Sequence, residues 1–135
     1  MRDYLTADGL LALAGDSDDL PVPATATRDD ALANANGLIL EAMIRLQALT
    51  GDRELLAKTD QMLARALNAA AAAPFAHGSI VAALMMRAAS PVITIAGSKP
   101  DALLRAASRL SPMTTILVPP GTQKPGAVNE AQWRE

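Results

Sequence analysis

A chain of 135 residues with a formal net charge of −2, 50% apolar and 19% charged side chains, fits one folded domain and not a disordered segment. It has no cysteine, which excludes disulfides, thiolate metal sites and thiol redox chemistry. Its aromatics are Tyr4, Phe75 and Trp133, so stacking platforms are scarce and the charge balance is not basic; both speak against a nucleic-acid partner.

No apolar run approaches the roughly 18 residues of a membrane span. Arg45 and Arg65 interrupt the longest helical stretches, and Asp3 beside Arg2 does not suit a secretory signal. The expectation is a cytoplasmic protein with no membrane and no nucleic-acid partner. Charge is uneven. Residues 1–30 hold seven acids against Arg2 and Arg28, a pattern expected of a solvated segment.

Residues 1–27 read as an irregular acidic segment, with a short structured turn around Tyr4–Leu13 and breakers from Gly15 to Pro23. A first helix is expected over 28–50. Thr27 and Asp30 have the spacing of a capping box, and Ala35, Leu38, Ile39, Ala42, Met43, Leu46 and Leu49 recur as one helix face. Gly51 supplies a left-handed stop. Asp52 caps a second helix of about 53–73, with Leu55, Leu56, Met62, Leu63, Ala66, Leu67 and Ala70 as its stripe, a Glu54–Lys58 pair outside, and Pro74 at its end. A third helix covers about 77–89, with Ile80, Val81, Leu84, Met85 and Ala88 on one face. Short links make these helices antiparallel αα-hairpins.

The pattern then becomes β-branched. Pro91–Ala96 and Met113–Val118 read as strands around a helix of about 99–110 that Ser98 can cap, a parallel right-handed β-α-β unit. The fold class is α+β and mostly helical: one domain over 1–121, with hairpins at 28–90, the β-α-β unit at 91–121 and a flexible polar tail at 122–135.

Few residues carry chemistry. Gly97 and Ser98 sit between a strand and a helix start, but no phosphate-loop pattern surrounds them and Asp101 fills the first turn with negative charge. Ser79 and Ser90 lack a nucleophile-elbow context. The densest polar cluster is Asp29, Asp30, Asn34 and Asn36, in which Asp30 and Asn34 would share a helix face; His77 is the sole histidine. Asp30, Asn34, Asn36 and His77 are the ligand-binding candidates, able to hydrogen-bond a sugar. Capping and loop anchoring is the plainer reading of the same residues. Catalytic residues, metal ligands and cofactors are not expected.

Several stretches, Leu5–Leu11, Asp16–Leu20, Asp30–Gly37, Arg45–Asp52 with its Leu-Thr-Gly-Asp motif, Pro74–Gly78 and Val92–Gly97, together resemble the C-terminal part of thioredoxin-domain proteins related to the spermatogenesis-associated thioredoxin-like protein. The resemblance covers residues 5 to about 118. It implies the last hairpins of an α/α toroid of the six-hairpin glycosidase and N-acylglucosamine 2-epimerase kind, plus a terminal α/β appendage. Where that family has Pro-Ser-Gly-Asn, this chain has Ala33-Asn34-Ala35-Asn36, so only Asp30 and Asn36 match there. The family's Cys-x-x-Cys chemistry has no counterpart in a chain without cysteine. The expected role is therefore a non-catalytic interaction or structural module, a homodimer or partner of another protein through exposed apolar helix faces; the alternative is a carbohydrate-binding or sugar-epimerase-like module.

Overall fold

The computed structural model describes residues 4–6, 9–12, 27–95, 100–112 and 114–118. Among them, four α-helices and a small two-stranded parallel sheet form an α+β, mostly helical domain. Helix α1 is Ala35–Thr50, α2 is Arg53–Ala70 and α3 is Gly78–Ala89, preceded by a 3₁₀ turn at Pro74–His77. Strand β1 is Val92–Thr94, α4 is Pro100–Ala107 and β2 is Ile116–Val118.

Helix α1 starts later than the expected position 28. Its N-cap is Asn34, whose side-chain oxygen accepts the Asn36 N–H at 2.8 Å, and not Thr27 with Asp30. The preceding residues stay outside the helix because the Asp29 carboxylate holds the Asn34 N–H at 2.8 Å. The other end follows expectation: Gly51 takes φ +65° and donates its N–H to the Gln47 carbonyl at 2.7 Å. Asp52 then accepts the Glu54 and Leu55 N–H groups at 2.8 and 3.2 Å, starting α2. Two residues thus join α1 to α2 as a helical hairpin. Helix α2 ends at Ala70, short of the expected 73, before the turn that leads to Pro74.

Helix α1 lies against both α2 and α3, which also touch each other. The core is Leu40, Ile44 and Ala48 of α1, Met62, Leu63, Ala66 and Ala70 of α2, and Ile80, Ala83 and Met86 of α3, joined by Leu10 and Ile116. At Gly37 the α1 and α3 backbones approach closely: a Cβ there would collide with the Ser79 side chain and lie 2.8 Å from its backbone carbonyl carbon.

The burial of α2 follows its expected stripe from Met62 to Ala70. That of α1 does not. Its buried face is Asn36, Gly37, Leu40, Ile44 and Ala48, whereas Leu38 and Leu46 of the expected stripe are 54% and 50% exposed. Similarly, α3 buries Ile80, Ala83 and Met86 and leaves Met85 65% exposed. Both helices are apolar on more than one side, so spacing alone cannot select the inward face.

Strands β1 and β2 pair in parallel, Val92 opposite Ile116 and Thr94 opposite Val118, with α4 between them in the chain. Ile116 and Val118 are buried, and β2 packs on α1. Arg45 of α1 also donates to the Pro112 carbonyl at 2.6 Å. Helix α4 buries no residue, and Leu103 and Leu110 remain exposed. Within the acidic N-terminal segment, Tyr4–Thr6 and Gly9–Ala12 form a small hairpin with an antiparallel Leu5–Leu11 bridge. Gly97, Ser98 and the 122–135 tail lie outside the described residues. Among the described residues, no helix is long and apolar enough to cross a membrane.

Candidate functional site: a buried polar network

Two of the four candidate residues, Asn34 and Asn36, share one hydrogen-bonded network, and buried His77 stands near its Asp29 carboxylate while bonding to Thr27 and Ala73. The network begins with an uncapped helix. His77 occupies the N-cap position of α3, but its side chain makes no capping bond. The cap comes instead from Asp29, fifty residues earlier: one carboxylate oxygen accepts the Ser79 N–H at 2.7 Å, and the other accepts the Ser79 hydroxyl at 2.5 Å and the Asn34 N–H. One carboxylate thus serves the starts of both α1 and α3, where helix dipoles favour negative charge.

Asn34 relays the network. Besides capping α1, its Nδ2 donates to the Arg28 carbonyl at 3.3 Å. Fully buried Asn36 reaches the N-terminal hairpin: its Oδ1 accepts the Leu11 N–H at 2.6 Å and its Nδ2 donates to the Leu11 carbonyl at 3.1 Å. This amide matches one residue's backbone pair, as a neighbouring strand would. His77 is also buried. Its Nδ1 lies 2.8 Å from the Ala73 carbonyl, and because a carbonyl only accepts, Nδ1 carries hydrogen. Its Nε2 lies 3.2 Å from the Thr27 hydroxyl, which donates to it in the neutral ring. Asp30 stands outside this set: it is exposed, and its N–H donates to the Leu32 carbonyl at 3.2 Å.

Partial burial pushes the Asp29 carboxyl up, but the Ser79 hydroxyl, the Ser79 and Asn34 N–H groups and nearby His77 outweigh it, so the group sits below the ordinary carboxylate value. That makes Asp29 a poor base. The Ser79 hydroxyl is oriented toward a carboxylate and has no imidazole partner within the network, and both His77 nitrogens face groups of the chain itself. The arrangement supplies structural ties and lacks a nucleophile–base pair. Every buried side-chain nitrogen and oxygen among the described residues has a partner. Among those residues, no group of three or more His, Asp or Glu side chains could hold a metal.

The centre of the network, Asp29 with Ser79, and the Thr27 partner of His77 are not what local spacing selects. The sequence signal for that centre is indirect: a helix starting at Pro74–Gly78 with no Ser, Thr, Asp or Asn to cap it needs a cap from elsewhere. No model of a known protein family matches the chain, and no curated protein does either.

Proposed function

We propose that this domain is a non-catalytic interaction module that self-associates through the outer face of α1. One observation carries the reading: α1 has an apolar row on its outer side as well as on its buried side. Ala35, Leu38, Ala42 and Leu46 are exposed along one line, with Leu49 beside them, and the two charged residues of the helix, Glu41 and Arg45, pair with each other at 2.8 Å on its flank. A helix with this pattern is normally covered on both sides. An uncharged exposed stripe usually marks a protein contact, and its most available complement is the same stripe on a second copy, related by a two-fold axis.

We place the chain with the C-terminal part of the thioredoxin-like, α-toroid proteins. Support comes from element order: helical hairpins, then a β-α-β unit. The matching residues have structural jobs, Gly51 and Asp52 as stop and cap, Asn36 as a tie, which favours inheritance of fold without chemistry. The carbohydrate reading draws no support from the geometry, because Asn34, Asn36 and His77 bond to the chain itself.

Sedimentation at rising concentration tests the proposal. The wild-type chain should form a dimer that the double substitution Leu38→Lys, Leu46→Lys abolishes while the helical circular dichroism is retained. A wild-type chain that stays monomeric at the highest concentration would overturn self-association.

A further inference from the structure

We infer that the slot holding the N-terminal hairpin is a leucine-anchored peptide site, filled in cis by this chain and open to the same segment of a second copy. The inference does not depend on the outer face of α1. The hairpin closes on itself: the Ala12 N–H donates to the Tyr4 carbonyl at 2.8 Å, the Thr6 N–H to the Leu10 carbonyl at 2.9 Å, and the Gly9 N–H to the Thr6 carbonyl at 2.8 Å. The Thr6 hydroxyl adds a 2.7 Å bond to the Leu10 carbonyl. Such a unit carries its own turn, with Gly9 at φ +76°, and sits on the helices as a ligand would.

Two kinds of contact hold it there. The Leu10 side chain, 4% exposed, enters the core beside residues of the three helices. The Asn36 amide engages the N–H and carbonyl of Leu11 together. An apolar anchor in a pocket plus a paired backbone contact is how extended peptides are recognised: the backbone contact is indifferent to side chains and the pocket selects leucine. The turn favours glycine because Gly9 holds φ +76°, a left-handed conformation that side chains strain, with the Arg65 guanidinium packed over it.

Fourteen residues, 13–26, separate the hairpin from Thr27. Fully extended they would span up to about 50 Å, more than the roughly 30 Å diameter of a small domain. The link is therefore long enough for one copy's hairpin to reach the slot of another, an exchange of identical elements.

The test uses the full-length chain with Leu10→Asp, which removes the anchor from the cis hairpin and leaves the helices unaltered. A labelled synthetic peptide of residues 4–12 should bind it saturably by fluorescence anisotropy. Asp in place of the anchor leucine in the peptide, or Asn36→Ala in the chain, should weaken binding at least ten-fold. Equal binding of both peptides, or no binding up to millimolar by a chain that keeps its helical signal, overturns the inference. If Leu10→Asp abolishes the helical signal, the wild-type chain decides. Its Leu11 amide should exchange hydrogen at least ten-fold faster than the Ile44 amide of α1, because the hairpin releases while the helices hold. Equal rates would show that the hairpin leaves only on global unfolding and would overturn the inference.

Discussion

Helices α1 and α2 are of similar length, adjacent in the chain and packed on each other, yet they meet water differently. The outer face of α2 carries Arg53, Glu54, Lys58, Asp60, Gln61 and Asn68, all exposed, and pairs Glu54 with Lys58 at 2.7 Å and Asp60 with Arg87 of α3 at 2.8 Å. The outer face of α1 carries alanine and leucine. Helix α2 is a finished surface helix, apolar inside and charged outside. Helix α1 is covered by α2, α3 and β2, and among the described residues its Leu38–Leu46 side stays exposed. The difference separates two settings of hydrophobic residues: those on α2 and on the inner face of α1 build the core, and those on the outer face of α1 stay about half exposed, which is the basis of the proposed self-association.

The largest effect should come from testing that division within α1 itself. Leu40 has no exposed surface and Leu38, two residues earlier, is half exposed. Leu40→Ala leaves a cavity among the three helices and should lower unfolding free energy by about 3 kcal/mol. Leu38→Ala should change it by less than about 0.5 kcal/mol, measured on the monomer at low concentration. Similar losses from both in a denaturant titration would mean that the outer face is also core, and the comparison would fail.

A smaller effect belongs to the network that joins the starts of α1 and α3. Asp29→Asn keeps shape but removes the charge, and should cost about 1–2 kcal/mol at pH 7, the scale of a helix cap at a partly exposed site. The sign of its pH dependence is set. The folded-state value of Asp29 lies below the ordinary one of about 3.9, so its contribution is present above that value and is lost as pH falls through the lower folded one. The stability gap between wild type and Asp29→Asn should therefore close below about pH 4. A gap that stays constant to pH 2 would show that the carboxylate's charge contributes nothing.

That network also marks where sequence reading stops. Rules that look a few residues either way locate Gly51 and Asp52, because stop and cap act on their immediate neighbours, and they locate the inner stripe of α2, because its opposite side is charged. They misplace the start of α1, since Thr27 and Asp30 have capping spacing and only the fold shows that Asp29 is bound to Ser79, fifty residues on. They choose the wrong side of α1, since Leu38–Ala42–Leu46 and Leu40–Ile44–Ala48 are equally good apolar rows. Asn34, Asn36 and His77 are found as a polar group by composition. Their role is not, because it rests on the backbone atoms of Leu11, Arg28 and Ala73 that each one meets.

The smallest effect on folding is the sharpest test of what the two helices are for. Ala42 and Ala64 are both exposed, both near the middle of a helix, one on α1 and one on α2. Lysine is nearly as good a helix former as alanine, so Ala42→Lys and Ala64→Lys should each shift stability by less than about 0.5 kcal/mol. On α2 the new charge joins a face that already carries charges of both signs. On α1 it stands in the centre of an uncharged row, where closing a two-fold contact would bring it against its own copy and strip its water. Like charges held together away from solvent are disfavoured, so Ala42→Lys should shift the sedimentation profile toward monomer at a concentration where Ala64→Lys matches wild type. If both substitutions act alike on association while both leave folding intact, the uncharged row on α1 has no special part in it, and the distinction between the two helices is one of composition alone.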